Sequence, residues 1–223
     1  KTVVQLGDML PALRDFAGHN GVFAVKVEPE LEKTDDAMKA LTELGLLPAA
    51  PIQPNFSTIL VNLSPNLDKI MADLNQKGRH AIHRAERDGV TVEQVESNDE
   101  NCQLFYNLLS ETAAGSFVIR PYEYYQKFWQ RYAAANLGQL FFAYSEGQVV
   151  AGAFAMIFGE KSTYKEGASV RERNVYGASH LLQWHIIQWA KEEGSKLHDL
   201  CGAPPSDRIN DVLHPHYGIG RFK

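Results

Sequence analysis

The sequence is constrained most by residues 164–205, where a strand-like segment, a polar loop, a long apolar segment and a second strand-like segment follow one another. The long apolar segment predicts a helix over residues 178–193, and Gly194 directly after it is typical of a C-cap. Apolar side chains cover most of the circumference of this helix and leave only a narrow polar stripe. A helix with so little polar surface is buried, so the other elements of the chain have to pack around it.

The start of this helix is also a candidate binding site. Gly177 and Ala178 stand between the loop and the apolar segment, so backbone N–H groups of the first turn should point beyond the preceding strand. That arrangement suits a phosphate, or a carbonyl oxygen that gains negative charge during a reaction. A helix that serves only the core produces the same pattern, so the sequence leaves both interpretations open.

Length, charge and cysteine content narrow the class of protein. The 223 residues allow one large domain or two small ones, and the formal net charge of -5 argues against a protein that coats duplex DNA, although a local basic patch is compatible with it. Cys102 and Cys201 fit a reducing, cytoplasmic setting, with one disulfide as the alternative. We expect Cys201 to be a buried structural thiol rather than a nucleophile. No apolar run is long enough to cross a bilayer.

A linker rich in proline and alanine, residues 48–54, predicts a domain boundary near residue 55. Before it we expect a helix, a strand over residues 21–27 and a second, short helix. After it the predicted order is strand, helix, strand, two helices, three strands, helix and strand, with the first of these helices either bent or divided at Gly78. Because the chain opens with Lys1 and ends in a strand-like segment, we expect a fragment of a longer protein.

The order after residue 55 resembles the acetyltransferase-type (GNAT) fold, whose strand–helix–strand unit receives an acyl donor at the helix N-terminus. In that superfamily the loop before the helix carries Arg/Gln-x-x-Gly-x-Gly/Ala, which holds the pyrophosphate of coenzyme A. The matching segment here runs from Arg173 to Ala178, with Tyr176 in place of the first glycine. A bulky side chain there obstructs the close approach of backbone to pyrophosphate. We therefore expect the fold, with a donor loop that departs from the coenzyme A pattern.

An ordered series of motifs covers the chain from about residue 20 to its end. The motifs are residues 53–56, 77–90, 119–125, 176–184, 189–191, 199–202 and 214–223. Each motif alone is weak, but the ordered series is specific, and it resembles the FemABX family of aminoacyl-tRNA-dependent, peptidoglycan bridge-forming aminoacyltransferases. The family has two GNAT-like domains. The resemblance therefore implies an α+β fold with tandem GNAT-like domains, the first incomplete over residues 1–54 and the second over residues 55–223.

The resemblance also implies a reaction. The amino group on the stem peptide of UDP-MurNAc-pentapeptide or lipid II attacks the ester carbonyl of aminoacyl-tRNA, and tRNA leaves without a metal or coenzyme. Because the ester is already activated, the enzyme mainly positions the substrates, takes one proton and stabilises an oxyanion. We expect a cytoplasmic location, with peripheral contact to the inner face of the membrane as an option.

Four residues match positions that the family uses for substrate binding and catalysis. Arg120 and Tyr124, four residues apart across a helix start, would hold the diphosphate and nucleotide of the acceptor, and Tyr164 would complete the substrate-binding set. Lys223 is the expected catalytic residue, at the end of a core strand, where its ammonium would stabilise the oxyanion or hold an acceptor carboxylate. The alternatives are a capping arginine, packing tyrosines and a surface lysine at a frayed chain end.

A basic helix face is the candidate tRNA surface, with an ordinary solvated face as the alternative. Its residues are Lys77, Arg79, Arg84 and Arg87. His214 and His216 flank a proline, but no cluster of Cys, His or Asp accompanies them, so we expect no metal. Asp199 is either a base or an exposed strand end.

Three functions compete: aminoacyl-tRNA-dependent bridge formation, acyl-coenzyme A-dependent N-acyl transfer, and a non-catalytic binding module on the same fold. Tyr176 in the donor loop weakens the second function. The set of Arg120, Tyr124, Tyr164 and Lys223 weakens the third. The sequence leaves open which amino acid is transferred and whether the acceptor is soluble or lipid-linked.

Overall fold

The computed structural model describes residues 2–52, 57–114, 117–170 and 175–222, and the chain divides into two compact units, Lys1–Pro54 and Asn55–Lys223. The smaller unit holds two helices, α1 (Val3–His19) and α2 (Asp35–Glu43). Thr2 and Thr34 cap them, because each threonine oxygen accepts a hydrogen bond from an N–H group that has no intrahelical partner. The assignment of this unit to a first GNAT-like domain stays a prediction.

The strand predicted over residues 21–27 is wrong. The structure gives these residues no strand, and the side chain of Phe23 is fully exposed. β-branched and aromatic residues form a stable strand only where neighbouring strands pair with them and a face is buried. The described residues of the smaller unit include no strand that could act as the partner.

Six strands form a single sheet in the larger unit. They are β1 (Thr58–Asn62), β2 (Thr91–Val95), β3 (Gly138–Ser145), β4 (Gln148–Phe158), β5 (Lys161–Ser169) and β6 (Leu197–Gly202). Their order in the sheet is β1-β6-β5-β4-β3-β2, and all neighbours are antiparallel except β5 and β6, which are parallel. A parallel pair needs a crossover connection, and the predicted apolar helix supplies it.

The helices of the larger unit lie on both faces of this sheet. They are α3 (Leu67–Asp73), α4 (Gln76–Arg87), α5 (Asp99–Ala113), α6 (Tyr122–Ala134), α7 (Ala178–Glu192) and α8 (Tyr217–Phe222), with a short 3-10 helix at Ser206–Arg208. Helix α7 packs on β3, β4 and α4, whereas α5 packs on β4 and β5 and α6 on β3. We call the two sides of the sheet the α7 face and the α5/α6 face. No helix in the described part of the chain is long and apolar enough to span a membrane.

The apolar helix is confirmed as α7, but the predicted helix near Gly78 is divided elsewhere. Leu74 has an extended backbone, and α4 starts after Asn75, whose side chain accepts a hydrogen bond from Gly78 N at 2.8 Å. The asparagine competes successfully for the backbone because its short polar side chain can replace a missing helical partner.

The strand predicted at the end of the chain is also wrong, because α8 covers residues 217–222. Gly220 N donates to His216 O at 2.8 Å, so the backbone satisfies its hydrogen bonds within the segment. A Cβ atom on Gly220 would lie 2.5 Å from Pro204 Cδ, which explains why a glycine stands at this contact.

Candidate active site

The sheet opens between β5 and β6. The two strands pair only at three positions, Lys161 with Leu197, Ser162 with His198 and Thr163 with Asp199, although β5 continues to Ser169 and β6 to Gly202. Beyond these pairs the strands separate and leave a cleft in the sheet. The chain that leaves the open end of β5 leads to the start of α7, so the cleft and the helix N-terminus lie at the same end of the unit.

A β-bulge in β5 sends neighbouring side chains to opposite faces of the sheet. Ala155 of β4 pairs with Tyr164 and Phe154 pairs with Glu166, so Lys165 has no partner on β4. Tyr164 packs with the apolar cluster of the α7 face, whereas Glu166 reaches Trp129 on the α5/α6 face. Without the extra residue, Tyr164 and Glu166 would point the same way, since strand side chains alternate.

Tyr164 lies at the cleft with its hydroxyl above Gly167. A Cβ on Gly167 would come within 1.5 Å of Tyr164 Oη, so glycine leaves the space that the phenol fills. Burial raises the pKa of Tyr164 to about 12 and outweighs the polar contact with Gln183, whose amide atoms do not reach ordinary hydrogen-bond geometry. The phenol is therefore a neutral hydrogen-bonding group. It borders a cavity of about 340 Å³ together with Gly167 and with Ser179 and Leu182 of α7.

Arg120 and Tyr124 come together as the i, i+4 spacing predicts. The guanidinium carbon of Arg120 lies 4.7 Å from the centroid of the Tyr124 ring, and the Tyr106 hydroxyl donates to Arg120 O at 3.1 Å. The Tyr124 ring is stacked on Phe128, with centroids 6.3 Å apart and planes 12° apart. Tyr124 is about half exposed, so this arginine and its aromatic support face solvent at the start of α6.

Sequence analysis missed the neighbouring pair of Lys165 and Glu166. Lys165 Nζ donates to Glu166 Oε1 at 2.9 Å, and Trp129 Nε1 donates to Glu166 Oε2 at 3.3 Å. Burial raises the pKa of Glu166, although Lys165 opposes this shift. Burial acts to lower the pKa of Lys165, but the attraction of Glu166 outweighs it, so the pKa of Lys165 rises. Lys165 Nζ also lies 5.7 Å from the Phe128 centroid, which joins this pair to Tyr124 and Arg120.

The predicted catalytic residue, Lys223, lies outside the described residues. The segment before it is the helix α8 and not the predicted strand. The catalytic role of Lys223 stays a prediction that depends on the family resemblance.

The basic face of α4 contains residues with different tasks. Arg79 donates to Ala72 O at 2.8 Å and also to Leu74 O, so its guanidinium caps the C-terminal carbonyls of α3. Arg84 pairs with Asp88 at 3.3 Å. Lys77 and Arg87 are exposed. Binding of tRNA to this face stays a prediction, and Arg79 is its least available member.

The described part of the donor loop, residues 175–178, departs from the coenzyme A pattern of the GNAT fold, and Arg173 at the start of the predicted loop lies outside the described residues. Gly177 has a φ of 80°, and a Cβ there would lie 2.1 Å from Ala81 O, so a carbonyl oxygen of α4 approaches the helix start. The Tyr176 ring lies 4.7 Å from the guanidinium carbon of Arg84 and 6.2 Å from the ring of His80. The packed Tyr176 ring stands where the GNAT pattern has its first glycine, and Gly177 is held close to the backbone of α4.

The remaining candidates are Asp199, the two cysteines and a possible metal site. Asp199 accepts hydrogen bonds from Thr58 Oγ1 and from Cys201 N, and it pairs with Lys161 at 3.4 Å, so it is tied into the sheet edge. Neither Cys102 nor Cys201 forms a disulfide with a described residue, and burial raises the pKa of Cys102 to about 11. Cys201, which was expected to be buried, is only partly buried. The described residues contain no group of three or more His, Cys, Asp and Glu side chains arranged for a metal ion.

Comparison with known proteins identifies the family. The profile of the acetyltransferase (GNAT) domain matches residues 73–207, which is more than half of the chain. The chain belongs to the GNAT acetyltransferase-domain family. The predicted α+β, GNAT-like fold is thereby confirmed for the larger unit. A crystal structure of FemX covers 97% of this GNAT chain and 72% of its own, with a TM-score of 0.81 and 19% identity, which shows a shared fold.

Two curated relatives confirm the resemblance to FemABX enzymes. The UDP-N-acetylmuramoylpentapeptide-lysine N(6)-alanyltransferase of Weissella viridescens is 26% identical over 203 residues, 86% of this GNAT chain and 60% of the relative. The Lipid II:glycine glycyltransferase of Staphylococcus saprophyticus is 22% identical over 290 residues, 98% of this chain and 68% of the relative. The GNAT chain therefore spans about two thirds of their length. The second alignment is longer than the 223 residues of the chain, so that relative carries segments that are not found here.

Proposed function

We propose that this GNAT chain belongs to an enzyme that transfers an amino acid to the stem-peptide amino group of a peptidoglycan precursor and so forms an interpeptide bridge. The proposal rests chiefly on the alanyltransferase relative, which aligns with 86% of the chain and is named for that class of acceptor. The contact of Arg120 with Tyr124 on the α5/α6 face also supports it, as does the place of Tyr164 next to the β5 bulge on the α7 face.

The donor in this proposal is aminoacyl-tRNA. Its ester is activated, so the reaction needs no further coenzyme: the stem-peptide amine forms a bond to the ester carbonyl, a tetrahedral oxyanion results, and the ribose oxygen of tRNA leaves with a proton. The departure of the α7 start from the coenzyme A pattern argues for such a donor over acyl-coenzyme A.

Each candidate residue has a part in this reaction. Tyr164, with a pKa of about 12, keeps its proton at neutral pH and donates a hydrogen bond to the reacting carbonyl or the acceptor. Arg120 binds a phosphate of the acceptor in a bidentate way. Lys223 supplies a positive charge to the oxyanion.

The decisive experiment incubates the protein with radiolabelled aminoacyl-tRNA and either UDP-MurNAc-pentapeptide or lipid II, in the absence of coenzyme A and added metal. A parallel reaction contains acetyl-coenzyme A instead of the charged tRNA. We expect label in the precursor only in the first reaction, and the better acceptor distinguishes the soluble from the lipid-linked substrate. Transfer that requires acyl-coenzyme A would overturn the proposal.

Lys223→Met tests the catalytic assignment in the same assay. If the ammonium stabilises the oxyanion, loss of its charge should lower kcat by about a hundredfold, the usual effect of removing one such stabiliser. The KM for the acceptor should stay close to that of the unchanged protein. An unchanged kcat would exclude Lys223 from the site.

A further inference from the structure

A cavity of about 740 Å³ lies at the end of the larger unit that is opposite the cleft. It is bordered by the end of β2, the ends of α6 and α7, and the start of β3, where Gly138 stands. The cleft opens at the other ends of the strands, beside the start of α7. The 15 residues of α7 place the cavity about 20 Å from the cleft, so it is separate from the candidate active site.

The charged groups that border this cavity, in the part of the chain that the structure describes, are all negative. They are the carboxylates of Glu96, which follows β2, and Glu193, which follows α7. Helices α6 and α7 both end here, and the carbonyl groups of a helix C-terminus add partial negative charge. The basic residues of their last turns, Arg131 and Lys191, do not border the cavity, and Lys191 Nζ donates to Leu63 O at 2.7 Å instead. The cavity therefore favours a cation.

The amide side chains that border the cavity offer oxygen atoms more than N–H groups. Both N–H groups of Gln139 are used, because its Nε2 donates to Val95 O at 2.9 Å and to Leu140 O at 2.8 Å. Gln130 Nε2 donates to Asp99 Oδ1 at 2.7 Å. These side chains therefore leave mainly their carbonyl oxygens for a ligand. A ligand that fits the cavity has to bring several N–H donors.

A buried serine without a hydrogen-bond partner also borders the cavity. Ser97 is 9% exposed, and its Oγ has no partner among the described residues. Buried hydroxyl groups are nearly always hydrogen-bonded, and one that lacks a partner costs free energy. A donor that enters the cavity can supply the missing hydrogen bond, so this serine points to a ligand independently of the two carboxylates.

We propose that this cavity binds a linear polyamine, a flexible methylene chain that carries two or more ammonium groups. Two ammonium groups pair with Glu96 and Glu193, and their remaining N–H groups donate to Gln139 and Ser97. The methylene chain lies along the apolar part of the lining, which includes Trp189. A metal ion fits less well, because the described residues contain no group of three or more His, Cys, Asp and Glu side chains arranged for one. The inference goes beyond the proposed transfer reaction and does not depend on it.

An NMR titration tests the site with 1,4-diaminobutane and, as the probe with a single charge, butylamine. The backbone amide signals of residues at the cavity, such as Ser97 and Asn136, should shift and reach saturation. At low ionic strength the diamine should bind about fivefold more tightly than butylamine, because it gains a second, exposed ion pair. Glu96→Gln and Glu193→Gln should each remove this advantage.

Glu192→Gln is the matched control, since Glu192 is an exposed glutamate beside Glu193 that does not border the cavity. It should leave the affinity for the diamine unchanged. Ser97→Ala should weaken binding of the diamine without lowering the Tm of the ligand-free protein, because no hydrogen bond is lost. Equal affinities for the diamine and butylamine, equal affinities of Glu192→Gln and Glu193→Gln for the diamine, or shifts that spread over the acidic surface without saturation would each overturn the inference.

Discussion

The two faces of the central sheet are packed in different ways. On the α7 face, β4 presents the small side chains of Ala151, Ala153 and Ala155, and the cluster around them is mostly aliphatic, with Phe141, Trp184 and Trp189 as its buried aromatic residues. On the α5/α6 face the core is mostly aromatic and includes Phe105, Phe142, Phe154 and Trp129.

The two faces of the sheet also differ in whether their polar groups are buried or exposed. The α7 face fixes the backbone at the cleft, and its main polar groups, such as His198, are buried. The aromatic cluster of the α5/α6 face continues outward through Phe128 to Tyr124, where it supports Arg120 and Lys165 in contact with solvent. The α5/α6 face therefore exposes its charged candidates, Arg120 and Lys165, whereas the α7 face packs its candidate, Tyr164, among apolar side chains.

The largest expected effect comes from adding one methyl group to each face. Gly177→Ala should destabilise the protein by about 3–4 kcal/mol, because the new Cβ meets the backbone oxygen Ala81 O at 2.1 Å and the φ of 80° is strained for alanine. Gly138→Ala should cost less, about 2 kcal/mol, because φ is not positive there and its Cβ meets a side-chain atom, Phe154 Cζ, at 2.5 Å, so that this buried ring has to shift but no backbone atom does. Urea unfolding measures both. Equal costs would contradict the distinction between a backbone-packed face and an aromatic face.

The next effect concerns the buried histidine of the α7 face. His198 is fully buried, its Nδ1 lies 2.8 Å from Ser162 Oγ, and burial lowers its pKa from 6.5 to about 4. Between pH 6.5 and 4, His198 is protonated in the unfolded chain but stays neutral in the folded protein. The free energy of unfolding therefore falls as the pH drops from 6.5 to 4. The loss should reach about 3 kcal/mol.

Unfolding of the unchanged protein and of His198→Leu across this pH range provides the check. The variant should lose most of the slope between pH 6.5 and 4, even if its stability at pH 7 is lower. A slope that survives the substitution would assign the effect to other groups.

A smaller effect is expected for the binding groups of the other face. Arg120→Ala should raise the KM for the acceptor by about tenfold or more, because it removes a bidentate contact to phosphate, and Arg120→Lys should restore only part of it. Arg131→Ala is the matched control, since Arg131 is an exposed arginine in the last turn of the same helix, α6. Stability and donor KM should change little in either variant. An equal acceptor KM in the two alanine variants would remove Arg120 from the site.

Local patterns account for most of what the sequence predicted correctly. Helix α7, with Gly194 after it, depends on neighbours three and four residues apart along the chain. The contact of Arg120 with Tyr124 follows from helical spacing in the same way. These features require no knowledge of distant parts of the chain.

Features that depend on distant partners were missed. The prediction of a strand over residues 21–27 was wrong because the described residues of the smaller unit provide no neighbouring strand. The prediction of a terminal strand was wrong because that segment satisfies its backbone hydrogen bonds as a helix. The sequence did not single out Lys165 and Glu166, because two adjacent charged residues in a regular strand would point to opposite faces of the sheet. The bulge appears only when β4 is paired with β5, and only then does Glu166 meet Trp129.

The smallest expected effect separates structural from RNA-binding residues on α4, which belongs to the α7 face. Arg79→Ala should lower stability by about 1 kcal/mol, because the guanidinium satisfies carbonyl oxygens at the end of α3. Lys77→Ala should change stability by less than about 0.5 kcal/mol, as is usual for an exposed side chain. If α4 contacts tRNA phosphates, Lys77→Ala should instead weaken tRNA binding and reduce its dependence on salt concentration by about one released ion. Filter binding over a series of salt concentrations measures this slope. A slope unchanged in Lys77→Ala and in Arg87→Ala would exclude these two residues from an RNA contact, so the exposed cations of the α7 face would differ in function from Arg120 on the other face.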